Sequence, residues 1–404
     1  MATKFYYDFR DIFRAGRLGF RGKKMMMHFL GLMLGYVIFE ALTYLSLIGS
    51  GKVSAFWAKY GLRPALEVFA GRSAIAPPLI TIILMAVGAL IWAIIYFLFS
   101  TAVAKVAIEE LRGDDFYSMK DAFKFACKHW KSMYIAMLAL IGIFIFCLFW
   151  PTLVGLLDLI PGVQQAAEHF GAPLTTFLAI PVYFIGLFMV LITVAFLFGV
   201  VLVPSIVAVT GEDTFETIYQ LFSTIWNQPW RLVIYELLLK FVKTLGLAIF
   251  GVLSVAGMCM AFLPSTLLAR QESCYFADVI ARSLKIIGAG SLAQFIPGAR
   301  PVELIGAMPW TLDLATFFLF ASLIMIAAVV MAYPLSIMSC GYTILYVILR
   351  KKTTDEDMLE AKEEEEARPV VEEKPEEAEE KEEAEEKPEK PEEEEEAEEK
   401  PEEK

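Results

Sequence analysis

The chain has 404 residues, 57% of them hydrophobic, and a mean hydropathy of +0.57; a water-soluble domain of this size needs no such excess for its core, so a soluble globular class is excluded. The net charge of −12 joins two unlike parts, since residues 353–404 hold 28 acidic and 8 basic side chains while residues 1–352 hold 19 acidic ones and 27 Lys/Arg. A basic, apolar body carries an acidic tail.

Residues 1–25 read as a basic amphipathic helix on the cytoplasmic side. Asp8 stands at its N-cap position with Asp11 three residues on, and Phe9, Ile12, Phe13 and Phe20 fall on one face. A first span follows at about 26–48, interrupted only by Glu40. Runs free of Asp, Glu, Lys and Arg then occupy Ser73 to Ala104, Ser132 to Leu157, His169 to Gly211, Thr244 to Ala269 and Leu314 to Leu349. Each exceeds the roughly 20 apolar residues that a helix needs to cross about 30 Å of hydrocarbon. They predict spans at about 79–104, 133–157, 177–208, 232–262 and 314–349. Such continuous runs are unlike the short alternating strands of a membrane β-barrel.

Between the spans lie further amphipathic stretches. In residues 118–131, Ser118 takes the N-cap position with Asp121 three residues on, and Met119, Ala122, Phe123 and Trp130 share a face. In residues 214–227, Thr214 and Thr217 take the same places, with Phe215, Ile218, Tyr219 and Trp226 on the apolar side. Setting Trp130 over Trp226 and Phe20 puts the three stretches in one register, each followed at once by a span. This is a threefold internal repeat of interfacial helix plus helical hairpin. Its surface helix turns the chain into the bilayer while every backbone group stays paired. An anionic-lipid sensor is the functional alternative, because Arg10, Arg14, Arg17 and Arg21 in the first copy and Lys120, Lys124, Lys128 and Lys131 in the second give basic polar faces. The third copy offers Glu216 and Gln220 instead. Residues 273–288 repeat the apolar spacing and are expected as an amphipathic helix on the outer surface.

With six spans, the segments on the side of the termini hold 17 Lys/Arg against 8 in the opposite loops. Both termini are therefore expected in the cytoplasm. No cleaved signal peptide is expected, because the first apolar run is too long and no small-residue cleavage site follows it. The alternation of short surface helices such as "DTFETIYQLFSTIWNQPWRLVIY" with paired spans resembles the polytopic membrane domain that precedes some bacterial glycerophosphodiester phosphodiesterases, and related bacterial integral membrane proteins, over roughly residues 5–350. Those enzymes carry their chemistry in a separate soluble barrel. The only soluble extension expected here is the acidic tail, so that activity does not transfer, and the resemblance implies a membrane module of the inner membrane of a bacterial cell.

Intramembrane charge is the feature with functional potential, since a charge at mid-span is costly and is normally compensated or used. Glu40 is expected to pair with Lys243 or Lys240 of the fifth span, either as a structural ion pair or as a proton or substrate relay; Glu236, one turn before Lys240, is a local alternative partner. His28, His129 and His169 lack ligand spacing and read as interfacial side chains. The five scattered cysteines, Cys127, Cys147, Cys259, Cys274 and Cys340, give no disulfide framework. Pro151, Pro181, Pro204 and Pro334 lie inside apolar runs, the last two expected in equivalent places near the inner part of returning spans, and Gly246 and Gly251 are expected to admit close helix approach. No catalytic residue, cofactor, metal or nucleic-acid partner is expected.

Residues 351–404 form a Glu/Lys/Pro-rich tail that lacks the apolar surface to fold and is expected to be disordered, after a short helix from Thr354 to about Ala367 with Asp357 in its capping pattern. A basic protein or divalent cations are its possible partners, beside membrane lipids for the body; no oligomeric state follows from the sequence. The role expected is a non-enzymatic structural or partner-binding membrane module, with a transporter or lipid-handling protein built around Glu40, Lys240 and Lys243 as the alternative.

Overall fold

The computed structural model describes residues 5–157, 167–268, 275–287 and 309–360. Among these every regular element is helical, and six helices are long and apolar enough to cross a membrane: Gly22–Gly49, Trp130–Leu157, Ala179–Thr210, Pro229–Leu268, Leu79–Arg112 and Trp310–Thr354. In chain order they are the first (Gly22–Gly49), second (Leu79–Arg112), third (Trp130–Leu157), fourth (Ala179–Thr210), fifth (Pro229–Leu268) and sixth (Trp310–Thr354) spans. The chain is thus a multi-pass helical membrane protein. Several spans outrun the charge-free stretches that predicted them, because a charge marks where the chain leaves hydrocarbon, whereas a helix continues until its carbonyls are capped.

The even-numbered spans end alike. Gly113 (φ 106°), Gly211 (φ 70°) and Asp355 (φ 59°) each adopt the left-handed conformation that closes a helix C-terminus. Two acidic residues follow each of them: Asp114 and Asp115, Glu212 and Asp213, Glu356 and Asp357. One carboxylate in each set then accepts from a backbone amide of the next turn, Asp114 from Phe116 (3.0 Å), Asp213 from Glu216 (3.0 Å) and Asp357 from Leu359 (3.0 Å). After Gly113 and Gly211 the chain starts the surface helices Met119–Lys128 and Thr214–Asn227. After Asp355 it does not: the sixth span stops at Thr354, so residues 354–360 do not begin the short helix expected there. The acidic tail beyond residue 360 and Cys274 lie outside the described residues.

Packing is concentrated at the end where the even-numbered spans finish, which together with the surface helices there forms a collar. Ser336, Ile337 and Ser339 to Leu349 of the sixth span are buried. So are Ser100 to Ala104 and Val106 to Glu109 of the second span, and Leu202 to Val209 of the fourth. The sixth span is the hub, in contact with the first, second, fourth and fifth. Away from this end the spans turn apolar side chains outward, and the most apolar stretch of the fifth contains no buried residue. That surface suits lipid, which costs an apolar side chain nothing to face.

Small residues set the close approaches within the core. A Cβ on Gly19 would lie 2.8 Å from the Ile337 backbone nitrogen, and one on Gly246 2.8 Å from Ile337 Cδ1. Gly251 faces open space, so only one of the two expected fifth-span glycines serves contact. Pro204 lies seven residues before its left-handed cap and Pro334 twenty-one before its own, so the two prolines are not equivalent: the sixth span continues four turns deeper into the collar. Pro181 falls in the first turn of the fourth span, where its missing N–H costs no helical hydrogen bond.

Candidate functional site

The N-terminal stretch is broken at Phe13 into Phe9–Ile12 and Arg14–Gly19. Asp8 accepts from Arg10 N (2.8 Å) as the N-cap, while Asp11 is fully buried, accepts from Tyr6 N (2.9 Å) and meets Arg14 (3.1 Å). Ser118 caps its helix by accepting from Lys120 N (3.2 Å). Thr214, placed as the third cap from sequence, is instead the first residue of its helix, and the cap is Asp213 one position earlier. A carboxylate beside a hydroxyl is the stronger acceptor for an amide at the positive end of a helix. The anchors Phe20, Trp130 and Trp226 are all exposed, as are Phe9, Phe13, Met119, Phe123, Phe215 and Tyr219; Ile12 and Ala122 turn inward to the bundle.

Glu40 does not meet the fifth span. It is buried, and its Oε2 accepts from Ala65 N (3.1 Å) in the loop that follows the first span. That loop carries the helices Val53–Tyr60 and Pro64–Phe69 and folds back onto the first span. Tyr36, Glu40 and Tyr44 recur at every fourth residue and so line one face: Tyr36 donates to the Leu62 carbonyl, Tyr44 to the Gly61 carbonyl, and Glu40 accepts from the Ala65 amide in the first turn of the helix that follows. Lys240 pairs with Glu236 (3.3 Å), the local alternative, and Lys243 is half-buried on the same helix. The expected Glu40–Lys240/Lys243 pair is therefore corrected: the partner of Glu40 Oε2 is the Ala65 amide, while its Oε1 is buried without a hydrogen bond, about 14 Å inside the Gly49 end of its span.

A second polar cluster lies at the collar end, and sequence reasoning passed over it. Lys24 Nζ contacts Glu110 Oε2 at 2.7 Å with both side chains buried. Arg21 reaches the same carboxylate at 3.3 Å and Asp115 at 2.7 Å, and Lys23 donates to the carbonyls of Asp115 and Tyr117 at 3.4 Å. The Arg21 guanidinium holds the Asp115 carboxyl below the usual aspartate range. One turn beyond Lys24, His28 is buried and contacts Ser339 Oγ at 2.9 Å, which in turn lies 3.0 Å from Ser100 Oγ. His28 is thus an interior residue joining three spans, not an interfacial one. The signal in the sequence was Lys24, His28, Gly31 and Gly35 on one helical stripe, all of them buried.

The termini of the described body are tied together at this end. Tyr7 donates to Asp357 at 2.5 Å, and burial followed by that hydrogen bond pushes its hydroxyl above the ordinary tyrosine range. Arg112 donates to the Met358 carbonyl (2.9 Å), and Arg350 meets Gln220 and Glu356. At the opposite end Arg282 of the helix Tyr275–Ile286 meets Asp313 (2.7 Å), Ser283 donates to the Thr316 carbonyl (3.2 Å), and Trp57 lies beside Phe317 (6.2 Å).

Each buried charge named here meets at least one partner from the chain itself, which suits fixed packing, although Glu40 keeps one buried oxygen without a hydrogen bond. Cys147 and Cys340 are buried, Cys127 and Cys259 exposed, and all four are free thiols. Among the described residues no group of three or more His, Cys, Asp or Glu side chains is placed to hold a metal ion. Compared with known families, curated proteins and solved structures, the chain matches none.

Proposed function

We infer that the chain is a non-enzymatic structural or partner-binding module of a bacterial inner membrane, a membrane module being what the resemblance to the phosphodiesterase-linked domain implies, with both termini in the cytoplasm and three repeats of surface helix plus hairpin. The observation that carries this reading is the division of the molecule: a collar whose buried charges are compensated from within, and a fifth span whose most apolar stretch has no buried residue. A transport site needs polar groups open to a solute. Glu40, by contrast, is covered by the loop of residues 61–66. The concentration of basic side chains at the collar supports the orientation, and the recurrent left-handed residue followed by two acids supports the repeat. The acidic tail would then reach into the cytoplasm and take a basic protein or divalent cations.

Photo-crosslinking side chains at Val252 and Leu253, both strongly exposed, test the reading in native membranes. A discrete protein adduct is expected. Lipid adducts alone at both positions, with a Glu40→Cys protein labelled by a membrane-impermeant reagent through a water-filled path, would replace it with the transport reading.

A further inference from the structure

The surface helix Met119–Lys128 differs from its two counterparts in what it leaves unpaired. Lys120, Lys124 and Lys128 follow each other at every fourth residue, and Lys131 comes three residues later at the start of the third span. At 100° per residue they form a stripe about 80° wide. All four are exposed, and none forms an ion pair among the described residues. Met119, Phe123 and Trp130 form a second stripe directly beside the first, also exposed, and Phe116 just before the helix is 91% exposed. Ala122 and Ala126 lie opposite the lysine stripe, on the far flank of the apolar one, and are fully buried against the second span, which fixes the helix's roll and leaves both stripes outward.

We propose that this helix is a docking site for anionic phospholipid headgroups of the leaflet it lies on. The apolar stripe and Phe116 enter the boundary between headgroups and acyl chains, and the lysine ammonium groups reach sideways to the phosphates. Three features on the page select lipid as the occupant. The helix is bounded by two membrane spans, so its apolar stripe lies at the level where the chain crosses from hydrocarbon to water. Lysines at a pitch of one helical turn offer a row of point charges, which fits a row of phosphates without demanding a fixed geometry. The nearby carboxylates do not neutralise the row: Asp115 is engaged by Arg21, Asp114 accepts from Phe116 N, and Asp121 lies beyond the lysine stripe from the aromatic one. The equivalent helix Thr214–Asn227 carries Glu216 and a buried Gln220 in place of this row, so the attraction is absent from that copy. This inference needs the membrane embedding but is independent of the scaffold role.

Each lysine held near an anionic leaflet strengthens binding about fivefold. The test is native mass spectrometry of the full chain released from micelles containing equal phosphatidylglycerol and phosphatidylcholine. The wild-type protein is expected to retain phosphatidylglycerol preferentially, and the variant K120Q/K124Q/K128Q/K131Q to lose that preference at least tenfold. A control at the other end of the molecule, K52Q/K59Q, is expected to keep it. Single variants K124Q and K128Q, which leave the buried alanines untouched, give a graded loss of about fivefold each and cover the case of poor insertion by the quadruple variant. Equal retention of the two lipids by the wild type, or unchanged retention by the lysine variants, overturns the proposal. So does loss of a bound acidic protein with lipid retention intact.

Discussion

Lys24 is a lysine with no exposed side-chain surface, held by one carboxylate on the neighbouring span. Removing one member of a buried pair leaves the other charge without compensation, which costs about 3–5 kcal/mol, whereas replacing both with apolar groups is often neutral. Lys24→Met and Glu110→Leu are therefore each expected to lower the thermal unfolding temperature in detergent sharply, and the double variant to recover most of the loss. Additive losses would show that the pair is not coupled. Glu40 obeys a different rule, because its partner is an amide. Glu40→Gln retains an oxygen for Ala65 N and is expected to change stability little, while Glu40→Leu orphans that amide at a cost of about 1–3 kcal/mol. Proteolysis of the loop of residues 61–66 reads the difference, and equal cleavage in the two variants would contradict the assignment. The sequence made Glu40 conspicuous and left its partner hidden, since a backbone amide has no letter in the alphabet. Lys24 was hidden for the converse reason: at the edge of an apolar run a lysine normally snorkels to water, and only the position of Glu110 in space shows that this one does not.

At the scale of elements, the caps decide where each surface helix begins. Ser118→Ala and Asp213→Ala each remove the acceptor of a first-turn amide and are expected to cost about 1 kcal/mol, whereas Thr214→Ala, one place inside its helix, is expected to cost less. Stability in a common detergent separates the three, and a larger loss at Thr214 than at Asp213 would restore the cap originally read from the sequence. That reading slipped by one residue because Asp213 and Thr214 both carry an acceptor oxygen and the apolar register tolerates either. The spans themselves were plainly legible, because hydrocarbon demands long charge-free runs. Their ends were less so. The recurrent ending of Gly113, Gly211 or Asp355 followed by two acids was present in the letters, but Asp at the third position masks a motif whose first two copies have glycine. Aspartate tolerates the left-handed conformation better than most side chains, and the fold uses that tolerance at residue 355.

For the whole molecule, hydropathy reports avoidance of water without saying whether lipid or protein lies beyond. The sixth span shows the ambiguity: Leu314 to Leu349 is one apolar run, yet its last turns are enclosed by protein while Phe318, Met325 and Met331 face outward. Ser336, Ser339, Cys340, Gly341 and Thr343 were the available clue, since small and weakly polar residues gather where helices meet. Once that enclosure is known, the two ends become distinct. Tyr7, Trp130 and Trp226 belong with Asp357 at the collar end, and the loop of residues 61–66 and the helix Tyr275–Ile286 belong at the other. The most direct test of this arrangement is labelling of single cysteines with a membrane-impermeant thiol reagent in right-side-out and inverted membrane vesicles. Cysteines introduced at Lys120, Glu212 and Glu356 are predicted to react together from one side and those at Lys59 and Lys285 from the other. Reaction of Lys120→Cys and Glu212→Cys from opposite sides would contradict it.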